Sequence, residues 1–383
     1  MQFAKGKKII MGKQTKIIKK TLYKNGSAIK MQEAKYNPND EFYTSLNDIH
    51  QELNYYGKYF KGKNIICPCD CDILSGQPVY KIVIDFEEEG ESWYVSPTGL
   101  IYNIEKLTYY TLINGKLVPT VIVGDDARDF ISENISCNFI KAIVAIGEDY
   151  GLKSVTASGF NTKIGEGIKF SDVDYSLYDI IITNPPFSQY GFFMKTILPF
   201  VRKRRDTNRP LDFILMSSFG DRVNPCVGLG LMLRDYYLGF GRHKTLNFGV
   251  ISKDTGYKVK PVAVDWITTF RDAQDVYDSK SLNTGVKYSL YSDTFKVLDS
   301  ITMKDGTHPI RINHKGAIPE DYTGWMQGSV GILSDLNFNE FEWYITNAKK
   351  YFNTDYPELS PFAHKITDSM LNFHGIVFRR KIV

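Results

Sequence analysis

No apolar run in the 383-residue chain approaches the length of about 20 residues that a membrane-crossing helix needs. The N-terminus is basic but lacks the compact apolar stretch and small-residue cleavage site of a signal peptide. There are five cysteines, an odd number, and no secretory signal accompanies them, so a reducing, cytoplasmic setting is expected. Histidine is scarce as well, with six in the chain and no pair near Cys67, Cys69 and Cys71. One-residue spacers do not suit a zinc site, so these cysteines read as small buried groups and no metal is expected. No internal repeat is present, and the only compositionally biased block is N-terminal.

The chain is 43% hydrophobic and 14% aromatic, enough for a substantial core and too apolar for global disorder. Its net charge of +4 is unevenly spread. Residues 1–36 carry ten lysines against Glu33 alone, which makes this arm +9 and leaves −5 on the rest. Such an arm suits phosphate contacts, or is a solvated tail. A second basic cluster, Arg202, Lys203, Arg204, Arg205 and Arg209, is expected as a loop near a site that handles nucleic acid. Helix ends also collect such residues.

Asn184-Pro185-Pro186-Phe187 is the most informative stretch. It follows Tyr178–Ile182, a run rich in β-branched residues that reads as a buried strand. The Asn184 side-chain oxygen and the Pro185 carbonyl can each accept one hydrogen of an exocyclic amino group, which turns the nitrogen lone pair toward a methyl donor. Two prolines hold the backbone at the strand end, so the acceptors are in place beforehand. Phe187 offers a ring on which a base can stack.

Along the rest of the chain, Leu46, Ile49, Leu53 and Tyr56 predict a helix ending near Gly57. Asn64–Cys67 predicts a strand closed by an acidic turn, which sets Asp70 or Asp72 against a polar or cationic part of a cofactor. Residues 73–130 suggest antiparallel strands. A helix through Phe139, Ile143 and Ile146, a strand at 153–157, a short element at 168–174 carrying Asp172 and Asp174, a helix at 192–201 and a strand at 211–216 follow. This alternation argues a parallel sheet with helices on both faces. Residues 245–252 and 262–270 read as a hairpin. Beyond 271 the chain is polar and irregular, with an amphipathic segment near 338–352.

The chain resembles the EcoRI-type adenine-specific DNA methyltransferases. Asp40-Glu41-Phe42-Tyr43-Thr44 with Asp48-Ile49 and Glu52-Leu53 is similar to that family's N-terminal signature. Cys67-Pro68-Cys69-Asp70-Cys71-Asp72 is similar to its acidic cofactor turn, which replaces a glycine-rich loop. Ile318–Met326 and Asn337–Phe341 resemble a shorter C-terminal pattern. The resemblance implies an α/β, Rossmann-like S-adenosylmethionine-dependent methyltransferase fold, a doubly wound mixed sheet with a β-rich insertion at 73–130. It divides the chain into a basic arm at 1–36, a catalytic domain at 37–270 and a target-recognition, DNA-binding region at 271–383. It implies methylation of adenine N6 in duplex DNA. Tyr43, Thr44, Pro68, Asp70, Asp72 and Asp172 (or Asp174) would line the cofactor pocket, and Asn184 to Phe187 would hold the flipped adenine. A cognate restriction nuclease is a candidate partner, and a monomer is expected because hemimethylated sites are asymmetric. The insertion and the loose match at Trp325–Ser329 depart from the family pattern, so site specificity does not transfer.

Related strand-end motifs serve methyltransferases of RNA bases or of a protein glutamine amide. Phe187 in place of Tyr leans toward adenine, and the basic arm argues against a protein substrate. A non-catalytic nucleic-acid-binding module is the reading from another class, separable by whether S-adenosylmethionine binds at all.

Overall fold

The computed structural model describes residues 44–70, 138–161, 166–223, 225–252, 256–279, 290–303, 305–334, 336–345 and 375–381, together with the strand backbone between 73 and 122. The lysine-rich arm, Tyr43, Cys71 and Asp72 lie outside the described residues.

Helix α1 spans Leu46–Leu53, capped by the Ser45 hydroxyl accepting from Asp48 N, and runs into a 3-10 turn at Asn54–Tyr59. Strand β1 is Asn64–Cys67. After a short antiparallel pair, Ile73–Leu74 with Gln77–Pro78, five longer strands follow in the inserted stretch: β2 Lys81–Asp85, β3 Ser92–Val95, β4 Leu100–Asn103, β5 Thr108–Ile113 and β6 Lys116–Ile122. Then come α2 (Asn138–Tyr150), β7 (Ser154–Ser158), β8 (Ile180–Thr183), α3 (Tyr190–Arg204) and β9 (Asp212–Ser218). Helix α4 (Pro225–Leu233), β10 (Tyr237–Leu238), β11 (Lys244–Ser252), β12 (Gly256–Thr268) and α5 (Asp272–Asp278) complete this part.

These strands build one mixed twelve-stranded sheet in the order β10-β12-β9-β8-β1-β7-β2-β3-β4-β5-β6, with β11 also on β12. The central four, β9-β8-β1-β7, are parallel. Their residues are almost all buried, as expected of strands covered on both faces, which accounts for the near-continuous apolar runs in the sequence. Alternate residues point to opposite faces. Ile65, Val155, Ile180, Ile182 and Met216 join a core with α1 and α2, while Ile66, Ile181, Phe213 and Leu215 join one with α3 and α4. Each such fully buried side chain contributes about 1.5–3 kcal/mol.

The inserted strands extend the sheet. Strand β2 pairs antiparallel with β7, and each later strand adds to the one before. Residues 168–174, expected as one short element, instead include a 3-10 turn at Phe170–Asp172 and lead into another at Tyr175–Leu177. Asp174 caps the second turn by accepting from Ser176 N and Oγ, which satisfies the backbone locally in place of a strand partner.

Beyond 290 a four-stranded sheet forms from β13 (Ile310–Ile312), β14 (Met326–Gly328), β15 (Phe341–Ile345) and β16 (Ile376–Arg380), in the order β13-β14-β16-β15. The described part of the amphipathic 338–352 segment is therefore a turn followed by strand β15. Met326, Ile345, Val377 and Phe378 share the core of α3 and α4. Arg222, in a buried ion pair with Asp265 (2.6 and 2.5 Å to the two carboxylate oxygens), also ties the two parts together by donating to the Val330 carbonyl at 3.2 Å. Both charged side chains are 0% exposed, so removing either partner would cost about 3–5 kcal/mol.

Candidate active site

The parallel order turns around at β1. The chain passes from β1 to β7 on one side and then to β8 and β9 on the other, which makes the carboxyl ends of β1 and β8 the switch point where such sheets bind ligands. Cys67-Pro68-Cys69-Asp70 leaves β1 there and Asn184-Pro185-Pro186-Phe187 leaves β8 beside it. Asp70 N donates to the Ser158 carbonyl at the end of β7, 3.1 Å away, and the Thr183 hydroxyl donates to the Asp70 carboxylate. The acidic turn is thus tied to both neighbouring strand ends.

Thr44, just before α1, enters the same cluster. Asn184 Nδ2 donates to Thr44 Oγ1 at 3.3 Å, Thr44 Oγ1 is 3.8 Å from Met216 Sδ, and Asn138 Nδ2 donates to the Thr44 carbonyl at 2.8 Å. Pro68 and Pro185 are buried, and Asp70, Asn184 and Pro186 are partly buried. Pro186 leads into the 3-10 turn Phe187–Gln189 that starts α3. Burial, and then the adjacent Asp70 charge, hold the Cys69 thiol well above its ordinary range, so it stays neutral.

Two of the expected site residues stand apart from this cluster. Phe187 is only 2% exposed; its ring packs edge-on against Phe248 with centroids 6.2 Å apart, so it presents no open stacking face in this conformation. Asp172 is exposed and accepts from the neighbouring Ser171 hydroxyl at 3.0 Å; the bonds linking Thr44, Asp70, Thr183 and Asn184 do not include it. Its rival Asp174 is spent on capping, and that bonding lowers its pKa.

The basic cluster is also elsewhere than expected. Arg202 to Arg205 end α3, whose 15 residues carry them about 22 Å from the proline motif, to the amino ends of the central strands. Arg204 donates to the Tyr178 carbonyl at 2.6 Å, Arg205 pairs with Asp235 at 2.8 Å, and Arg209 clamps Asp179. Asp179 also accepts from Asn64 N at 2.9 Å, so these cations close the amino ends of β1 and β8.

Sequence reasoning missed Thr183, Met216 and Asn138; only the position of Thr183 directly before Asn184 could have signalled it. Glu52 appeared only within the N-terminal pattern. It is 3% exposed and accepts from Phe240 N at 2.8 Å, Gly241 N at 2.6 Å and the Tyr56 hydroxyl at 3.1 Å, fastening α1 to the loop between β10 and β11. That loop is tight: a Cβ on Gly239 would stand 2.3 Å from Glu52 Oε1.

Residues 30–90 match the family model described as adenine-specific methyltransferase EcoRI, a span that includes Thr44, Pro68 and Asp70. Over 323 residues the chain is 24% identical to the Type II methyltransferase M.EcoRI of Escherichia coli, covering 82% of this chain and 87% of that protein. No helix among the described residues is long and apolar enough to cross a membrane. The family model, the relative and the order of the motifs all make the chain similar to the EcoRI-type adenine-specific methyltransferases.

Proposed function

We propose that this protein is an adenine-specific DNA methyltransferase that transfers a methyl group from S-adenosylmethionine to adenine N6 in duplex DNA. The observation that carries the reading is the meeting of Asn184 and Asp70 at one switch point, linked through Thr183. The half-buried Asp70 carboxylate suits a cofactor that bears an amino group, ribose hydroxyls and a positive sulfonium. Pro68 and Asp70, with Asp72 close to them in sequence and Tyr43 beside Thr44, would hold it, within a Rossmann-like arrangement. When bound, it supplies an already activated methyl group.

The chain's own part is alignment. The Asn184 side-chain oxygen and the Pro185 carbonyl accept the two amino hydrogens and polarise the nitrogen, and the amino proton leaves after transfer, so no strongly shifted general base is needed. An adenine inside the duplex must flip out, at a few kcal/mol. Stacking on Phe187 would offset about 1–3 kcal/mol of this, once the ring is uncovered from its present packing. The region beyond 271 is the proposed DNA-reading part.

The test is transfer of label from S-adenosylmethionine to unmodified duplex DNA, with the product nucleoside identified. N6-methyladenine that disappears with Asn184→Ala, while DNA binding survives, supports the reading. Transfer to structured RNA or a protein amide instead, or undiminished activity of Asn184→Ala, overturns it.

A further inference from the structure

Thr44 has one hydroxyl proton and two lone pairs. The proton is directed at Met216 Sδ, 3.8 Å away, so toward Asn184 the oxygen acts as an acceptor, and it receives Asn184 Nδ2 at 3.3 Å. An amide whose nitrogen is held this way turns its oxygen to the opposite side. That oxygen is the atom methyl transfer needs as acceptor. Were the Thr44 proton turned to Asn184, the amide would be drawn round and would present two donors to an amino group that is itself a donor.

Thr44 is well placed to act as a reference. It is 5% exposed, its carbonyl is gripped by Asn138 at the first turn of α2, and the next residue caps α1. Met216 is fully buried in β9, the strand beside β8. Three segments distant in sequence, carrying Asn138, Asn184 and Met216, thus converge on Thr44.

We propose that Thr44 is a positioning residue for methyl transfer, whose hydroxyl, oriented by Met216, sets which way the Asn184 amide faces. This rests on the reading of Asn184 given above and differs from the cofactor-lining role that the family resemblance implies for Thr44.

The experiment compares wild type, Thr44→Val, Thr44→Ser, Met216→Leu and the Thr44→Val/Met216→Leu double variant, with Asn184→Ala as control. S-adenosylmethionine affinity is measured by calorimetry, and single-turnover transfer to unmethylated genomic duplex DNA is measured at saturating cofactor. Thr44→Val keeps the branched shape without the hydroxyl. It should slow transfer about ten-fold, the loss of about one hydrogen bond, with cofactor affinity unchanged. Thr44→Ser should restore most of the rate. Met216→Leu, close in volume, should slow wild type but add nothing in the Val background, because both changes act on one network. A Thr44→Val protein with weakened cofactor binding and a normal saturated rate overturns the proposal. So does a Ser variant no better than Val, or additive effects of the Leu change. If Asn184→Ala itself remains active, the fault lies in the reading of Asn184 and not in the orientation of its amide.

Discussion

The Thr183 hydroxyl donates to the Asp70 carboxylate, and this bond joins the ends of the two strands between which the parallel order turns around. Asn184 is the next residue after Thr183, and Asp70 lies two beyond Pro68. One hydrogen bond therefore connects the proposed cofactor turn to the proposed acceptor motif, and fixes their spacing before either ligand arrives.

Asp70→Ala removes both the carboxylate and the tie. Cofactor affinity should fall at least about ten-fold, the worth of a charge-assisted hydrogen bond. Thr183→Val leaves the carboxylate but frees its direction, and should weaken binding by less. Titration calorimetry of both variants checks this; unchanged affinity in Asp70→Ala would refute the cofactor placement.

The basic cluster should contribute little to DNA affinity. Arg202 and Lys203 are exposed about 22 Å from the motif, well beyond a screening length of about 8 Å. The double change Arg202→Glu/Lys203→Glu should alter duplex binding at physiological salt by less than about two-fold. Fluorescence anisotropy with duplex DNA is the measurement, and a fall as large as charge reversal gives at a contacted phosphate would put DNA at this end of the helix.

Glu52 should couple stability to pH. Burial raises its pKa above the ordinary 4.5, against the lowering effect of Phe240 N and Gly241 N. A carboxyl with a raised folded-state pKa binds its proton more tightly when folded. Its stabilising effect is complete below pH 4.5 and is lost as pH rises through the raised value. Glu52→Gln cannot titrate, so the melting temperature of wild type relative to this variant should be highest in acid and decline toward neutrality. A difference that grows with pH would show that bonding to the charged form outweighs burial.

Local signals made several elements legible. The β-branched run Ile180–Ile182 reads as a strand because a parallel sheet covered on both faces asks for nothing but apolar residues. Leu46, Ile49 and Leu53 lie at helical spacing, and α1 forms there. The hairpin of β11 and β12 follows from two apolar runs across a short connection. The joining of the inserted strands to the main sheet was not legible. Strand β2 meets β7 through backbone bonds, and these carry no side-chain signature that names the partner strand.

Cationic side chains show the same divide. The sequence placed Arg202 to Arg205 shortly after the proline motif, but a rigid helix carries them from the carboxyl ends to the amino ends of the central strands. Helix ends collect cations, and near this one Arg204 and Arg209 are held by the Tyr178 and Leu177 carbonyls and by Asp179 just before β8.

By itself, then, the sequence determined the chemistry on offer: an amide and a carbonyl held by prolines at a strand end, an acidic turn at another, and alternating elements able to build a covered sheet. Tertiary structure alone decided which of these meet. It brought Asp70 to Thr183 across 113 positions and Thr44 to Asn184 across 140, left Asp172 outside their bonds, and turned the face of Phe187 inward. Strand order is set by packing and backbone pairing over the whole sheet, and the direction in which an amide faces depends on a hydroxyl and a thioether that no local pattern could bring together.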